Sequence, residues 1–167
     1  MKKAISLLLA FAAVLSLTAS VFAADTQTTT IPVTLTVVHT NARNIDVTLP
    51  AAFPVSVVDD QVYTADNLVI RNNSSTTSVR VTDVSVTNGA YTVASYNNFP
   101  ASMPGRIALR INGCPTTGAG SLGISSSAFP TIAAGDSLPI RYAAKVSDSG
   151  DVSSIRAANV VFTLRAG

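Results

Sequence analysis

Past residue 23 the sequence carries one His (His39), one Cys (Cys114), one Lys (Lys145), nine Asp, and no Glu or Trp. This is a narrow inventory for chemistry. A Ser-His-Asp hydrolase would have to use His39 beside a Ser and an Asp. The G-x-S-x-G turn that exposes such a serine is absent. Glycoside hydrolysis needs two opposed carboxylates, and no aromatic-rich cleft accompanies the Asp residues. Zinc, copper or haem sites need several His or Cys ligands, more than one chain supplies here. No catalytic residue, metal site or cofactor is therefore expected. Asp148-Ser149-Gly150-Asp151 resembles part of a calcium loop. It lacks the EF-hand spacing and the closing Glu, and calcium wants six to eight oxygens, so it reads as a hairpin loop. Asp59-Asp60 reads as a loop as well.

Other residues suggest contact rather than catalysis. Arg106 and Arg110 share one face of a predicted strand, Arg141 and Lys145 share a face of another, and Arg165 faces outward from the last. On neighbouring strands they would form a basic stripe able to meet an anionic wall polymer or acidic glycan, or a solvated face balanced by Asp46 and Asp83. Tyr91 and Tyr96 differ by an odd number of positions and fall on opposite faces of a regular strand, which argues against an aromatic sugar platform; Tyr142 reads as core. Cys114 lies in the turn-like Asn112-Gly113-Cys114-Pro115. A single Cys cannot form an internal disulfide, which leaves a lone thiol or an intermolecular disulfide. Lys145 and Asn159 read as lying on consecutive strands, the arrangement of an isopeptide bond, but Lys145 is on the outward face.

The N-terminus reads as a secretory signal peptide over 1–23. Met1-Lys2-Lys3 precedes the apolar run Ala4 to Leu17, and Val21-Phe22-Ala23 supplies the cleavage site. The expected domain is 24–167, one unit by length. Lys2 and Lys3 leave with the signal, so nine basic residues face nine acidic ones. That balance excludes the basic excess of a nucleic-acid binder. No later apolar run is long enough for a membrane-spanning helix. The expectation is a secreted protein, free or held non-covalently at the cell surface.

The elements that must position these residues are strands. Ser, Thr and Val dominate, and β-branched side chains favour a pleated sheet over a helix. Apolar residues alternate with polar ones, as on a strand with one buried face. Ile31, Val33, Leu35 and Val37 form one continuous set; Ile45, Val47 and Leu49 another; then Phe53, Val55 and Val57; Leu68 and Ile70; Ile107, Leu109 and Ile111; Leu138, Ile140, Tyr142, Ala144 and Val146; and Val160, Phe162 and Leu164. Between Val79-Arg80-Val81 and Val84-Ser85-Val86 the phase slips by one. A slip reverses the faces, so a β-bulge or bend is expected near Thr82-Asp83. Asn88-Gly89 predicts a hairpin turn, and Leu122 to Ile124 a short strand. The sum is an all-β fold, an antiparallel β-sandwich of nine or ten strands, Ig-like or jelly-roll.

The lead Ala24 to Thr30 has no turn residue and runs directly into the strand Ile31 to Val38. Such a segment can complete a neighbour's sheet, and head-to-tail addition builds fibres. The alternative is an ordinary first strand of its own domain. Asn67-Leu68-Val69-Ile70-Arg71-Asn72-Asn73-Ser74, followed by Val79-Arg80-Val81 and Val84-Ser85-Val86, resembles a pattern in Gram-positive surface β-sandwiches, including fibre proteins of the TasA/camelysin type. This chain is shorter and lacks their long Lys-rich insertions, and no functional residue carries over. The resemblance implies a surface location and a structural class. The expected function is a non-catalytic surface or extracellular-matrix protein, a homo-oligomer or fibre subunit using Ile31, Val33, Leu35 and Val37. The alternatives are a glycan- or cell-wall-binding module and a small secreted hydrolase using His39.

Overall fold

The computed structural model describes residues 29–31, 33–39, 45–147 and 154–167. The expected signal peptide (1–23) and the Asp148–Asp151 loop lie outside them. The described residues form fourteen strands and no helix. In chain order these are β1 (Thr29–Ile31), β2 (Thr34–His39), β3 (Val47–Thr48), β4 (Val55–Val58), β5 (Gln61–Thr64), β6 (Leu68–Asn72) and β7 (Val79–Asn88). There follow β8 (Thr92–Val93), β9 (Arg106–Ile111), β10 (Cys114–Pro115), β11 (Gly120–Ser121), β12 (Ser137–Ile140), β13 (Tyr142–Val146) and β14 (Ala158–Ala166). Nine of them have four residues or more and the other five are two- or three-residue ladders. Alternation does not predict β5, and in place of the expected strand at Leu122 to Ile124 the chain has β11 at Gly120–Ser121.

The strands form four sheets, ordered β1-β4-β5, β10-β9-β13 with β8 also on β9, β11-β7-β14-β2, and β12-β6-β3. Pairing is antiparallel except for β2 on β14 and β8 on β9, which are parallel. One buried cluster draws side chains from all four sheets, among them Val55, Ile70, Val84, Ile107, Leu109, Ile140, Phe162 and Leu164. Phe53 is fully buried within it, edge-on to Tyr142 with centroids 5.0 Å apart and stacked on Phe162 at 6.0 Å. Offset and edge-on ring pairs add about 0.5–1.5 kcal/mol each beyond the area they bury.

The phase slip in β7 is a bulge. Thr163 pairs with Asp83 and Leu164 with Val81, so Thr82 is the extra residue. Val79 and Val81 face the core before it, and Val84 and Val86 after it. The bulge thus restores the buried face that a regular strand would have lost. Asp59 and Asp60 form the two-residue turn between β4 and β5, both at positive φ (49° and 60°), as a type I′ hairpin turn requires. Asn112 and Gly113 (φ 45° and 84°) do the same between β9 and β10.

Three expectations are corrected. Asn88-Gly89 does not close a hairpin. The chain instead leaves β7 for another sheet, where β8 pairs with β9. Asn88 Oδ1 accepts the Val93 amide at 2.8 Å, and a Cβ at Gly89 would lie 2.5 Å from the Arg156 carbonyl oxygen. The glycine serves a close backbone crossing, a use that the Asn-Gly signal does not distinguish from a turn. The run from Ile31 to Val38 is not one strand: β1 pairs with β4, and β2 pairs with β14 in a different sheet. The run from Leu138 to Val146 divides likewise, β12 pairing with β6 and β13 with β9. In both cases the alternation continues across the break while the hydrogen-bonding partner changes.

Candidate functional site: a basic face around Tyr96

Strands β9 and β13 bring the predicted cations together. Their register sets Arg110 opposite Ala143 and Ala108 opposite Lys145. Directly opposed residues share a face, so Arg106 and Arg110 on β9 and Lys145 on β13 project from one side, while Ile107, Leu109 and Ile111 enter the core from the other. Arg141, exposed, stands at the β12–β13 break. Its backbone is clamped by Asn112, whose Oδ1 accepts the Arg141 amide at 2.8 Å and whose own amide donates to the Arg141 carbonyl at 2.8 Å. Asn112 Nδ2 also donates to the Ala128 carbonyl at 3.1 Å.

Tyr96 lies over this face, a position the alternation pattern missed. Only Thr92–Val93 of its segment is strand, so counting positions from Tyr91 does not predict where Tyr96 points. The segment is moored by Thr116, which is buried. Thr116 Oγ1 donates to the Ala94 carbonyl at 2.7 Å and accepts the Leu109 amide at 3.2 Å, and the Tyr96 amide donates to the Thr116 carbonyl at 2.8 Å. The Arg110 guanidinium carbon stands 4.3 Å from the Tyr96 ring centroid and Lys145 Nζ stands 4.6 Å from it. Both lie within cation–π range, worth about 0.5–1 kcal/mol each at a wet site. Lys145 Nζ also donates to the Tyr96 carbonyl at 2.9 Å, and Arg110 donates to Asn97 Oδ1 at 3.1 Å.

Among the described residues no carboxylate pairs with these four cations. The Asp residues expected to balance them lie elsewhere: Asp46 accepts from Asn73 Nδ2 at 3.2 Å, and Asp83 from Ser121 Oγ at 2.5 Å. Among the described residues Arg106 Nε is buried without a hydrogen-bond acceptor, an unsatisfied charged donor there. Beside the face, Arg110 and Arg141 flank a shallow cleft of about 210 Å³ floored by Gly113, Tyr142 and Ala143. Such an arrangement can hold the apolar face of a small ring while guanidinium groups bind an anion on its edge.

Arg165 does not join this face. It belongs to β14, in another sheet, directly opposite Arg80 of β7. Of the five residues of the predicted stripe, Arg106, Arg110, Arg141 and Lys145 gather here and Arg165 stands apart on another sheet. Lys145 and Asn159 are likewise on different sheets, and Asn159 Nδ2 donates to the Asn88 carbonyl at 3.1 Å; with Lys145 held at Tyr96, no isopeptide geometry exists. Cys114 is a half-buried free thiol in β10, packed against the core. Of the candidate assembly residues, Val33 is buried between β1 and β2, and its carbonyl accepts the Phe53 amide at 3.4 Å. The backbones of Ile31, Leu35 and Val37 pair opposite Val55, Val160 and Phe162; the directions of their side chains, and that of His39, lie outside what is described. Among the described residues no three His, Cys or Asp side chains gather as a metal site would need, and no helix is long and apolar enough to cross a membrane. The chain matches no protein-family model, no curated protein and no solved structure.

Proposed function

We propose that the protein is an exported, non-catalytic β-sandwich subunit, Ig-like or jelly-roll in outline, that works at a bacterial surface or in an extracellular matrix and self-associates through its N-terminal strand. The observation that carries this reading is the placement of that strand. Strand β1 covers the edge of β4, and β2 covers the edge of β14. Both ladders are made of backbone hydrogen bonds, which any copy of the same segment can form in the same register. An exchanged segment would complete the neighbour's two sheets and leave its own vacated edges for the next copy, and this heterologous addition does not close. Near-zero charge after signal removal favours association. The test is size-exclusion chromatography with negative-stain microscopy on residues 24–167, with and without reductant, beside a variant lacking 24–38. The expected result is ladders or filaments that the deletion abolishes and that a peptide spanning 29–39 caps. A deletion variant that stays folded and still polymerises would overturn strand exchange.

A second reading, a module for acidic glycan or anionic wall polymer, draws on the unbalanced face of Arg106, Arg110, Arg141 and Lys145 around Tyr96. A glycan array with the monomeric protein tests it: binding to acidic ligands should fall with salt and with Arg110→Gln. Binding indifferent to both would remove this reading.

A further inference from the structure

A second basic site lies on the sheet β11-β7-β14-β2. Arg80 and Arg165 are register partners across β7 and β14, so two guanidinium groups leave one face side by side. Like charges in directly opposed positions disfavour the pair. Among the described residues no carboxylate relieves them, since Asp83, the nearest acid along β7, is bound to Ser121. The two arginines line a concave cleft of about 260 Å³ together with Thr82, Ser125, Ser126 and Phe129. Thr82, the bulged residue, lines the cleft beside them, and Phe129, buried edge-on to Phe162 at 6.3 Å, supplies an apolar lining. Thr82 Oγ1 is committed to the Thr163 carbonyl at 3.2 Å, and Ser125 Oγ to Ser127 at 2.9 Å and to the Ala128 amide at 3.2 Å. Ser126 keeps its hydroxyl uncommitted among the described residues.

We propose that Arg80, Arg165 and Ser126 form a binding site for a phosphate group, either free or as the diester of an anionic polymer. The cleft is smaller than a drug-sized pocket, which runs from roughly 300 Å³ upward, and suits a tetrahedral oxyanion with its first substituents. Guanidinium forks match phosphate oxygens in pairs. One bound anion turns the mutual repulsion of the two arginines into attraction to a shared centre. The site shares no lining residue with the Tyr96 face or with strands β1 and β2.

The test titrates the isotope-labelled mature protein with inorganic phosphate and, separately, with a soluble polyol phosphodiester, at constant ionic strength in chloride. Saturable shifts at residues 80, 126 and 165 are expected, with a dissociation constant of about 1 mM for inorganic phosphate. Arg80→Gln and Arg165→Gln should each weaken binding about tenfold or more, equal to about 1.4 kcal/mol, while Arg141→Gln on the other sheet leaves it unchanged. In phosphate-free buffer both variants should melt no lower than wild type, because each removes repulsion; this separates loss of binding from loss of fold. Stronger binding of the polymer than of the free anion identifies the diester as the source, and the reverse identifies free phosphate. No saturable shift with either, or shifts that survive in both variants, overturns the site.

Discussion

Asn72 is the polar group on which the turn regions around β6 depend, and its replacement should have a pH signature. It is fully buried at the end of β6. Its Nδ2 donates to the carbonyls of Thr77 (2.8 Å), Ile132 (3.1 Å) and Ala133 (3.0 Å), and its Oδ1 accepts the Ser74 amide at 3.0 Å. An amide has two hydrogens, so one of them is shared between two of the three carbonyls. Asn72→Ala removes all of these and leaves buried carbonyls short of a donor. At about 1 kcal/mol per bond the loss is about 3–4 kcal/mol, a large share of a marginal stability. Asn72→Asp keeps the shape but turns a donor into a carboxylate facing three carbonyl oxygens. Burial and those dipoles disfavour the charged form and raise its pKa above the unfolded value of about 3.9. The folded state therefore prefers the protonated acid. Stability of this variant is greatest below about pH 4 and falls as pH rises through the elevated folded pKa. A rise of about two units adds about 2.7 kcal/mol of destabilisation at neutral pH. Urea denaturation of wild type, Asn72→Ala and Asn72→Asp at pH 3.5 and pH 7.5 measures this directly. An Asn72→Asp penalty equal at both pH values, or an Asn72→Ala loss under about 1 kcal/mol, would refute the reasoning.

Three further outcomes are expected. Tyr142 donates its hydroxyl to the Pro54 carbonyl and accepts the Ala65 amide at 3.1 Å, and burial raises its pKa, partly opposed by the Ala65 amide. The neutral phenol is thus favoured in the fold, and its contribution is complete below the unfolded pKa of about 10 and lost as pH rises through the folded value. Tyr142→Phe should cost about 1–3 kcal/mol at neutral pH and flatten the alkaline limb of a stability-against-pH curve. Asp59→Asn with Asp60→Gly should raise stability by about 0.5–1 kcal/mol, seen as a higher Tm, because Asn-Gly occupies this left-handed turn at less cost than two like-charged Asp. Gly89→Ala should lower stability by about 1–3 kcal/mol in the same assay, since its Cβ would meet the backbone of residues 156 and 157.

The candidate site was partly legible. The two arginines of β9 and the Arg141–Lys145 spacing were visible as outward positions, because Ile107, Leu109 and Ile111 mark the opposite face as core. Tyr96 was not visible, since its segment leaves regular strand geometry after Val93 and is held by Thr116 from a distant loop. Arg80 was visible only as an exposed residue of β7; its opposition to Arg165 depends on the β7–β14 register. That register in turn shifts at the bulge.

Side-chain alternation is a property of the chain itself. By alternation alone the sequence determined an all-β fold, most of the strand positions that enter the core, and the bulge at Thr82, because a strand's faces alternate whatever lies beside it; the buried Phe129 and Ile132, outside the strands, and Ala108, on the face read as outward, were not legible in it. Pairing is a property of two segments, and only tertiary structure decided it. The runs 29–39 and 138–146 each keep one alternation while passing from one sheet to another. A residue's backbone groups hydrogen-bond in the plane of the sheet, at right angles to the direction that hydrophobic burial controls. Burial patterns therefore specify which side chains enter the core and carry no information on which strand lies alongside. Turns such as Asp59-Asp60 and Asn112-Gly113, the close crossing at Gly89 and the buried amide of Asn72 fix those partners, and the resulting arrangement sets Tyr96 against Arg110 and Lys145 and Arg80 against Arg165.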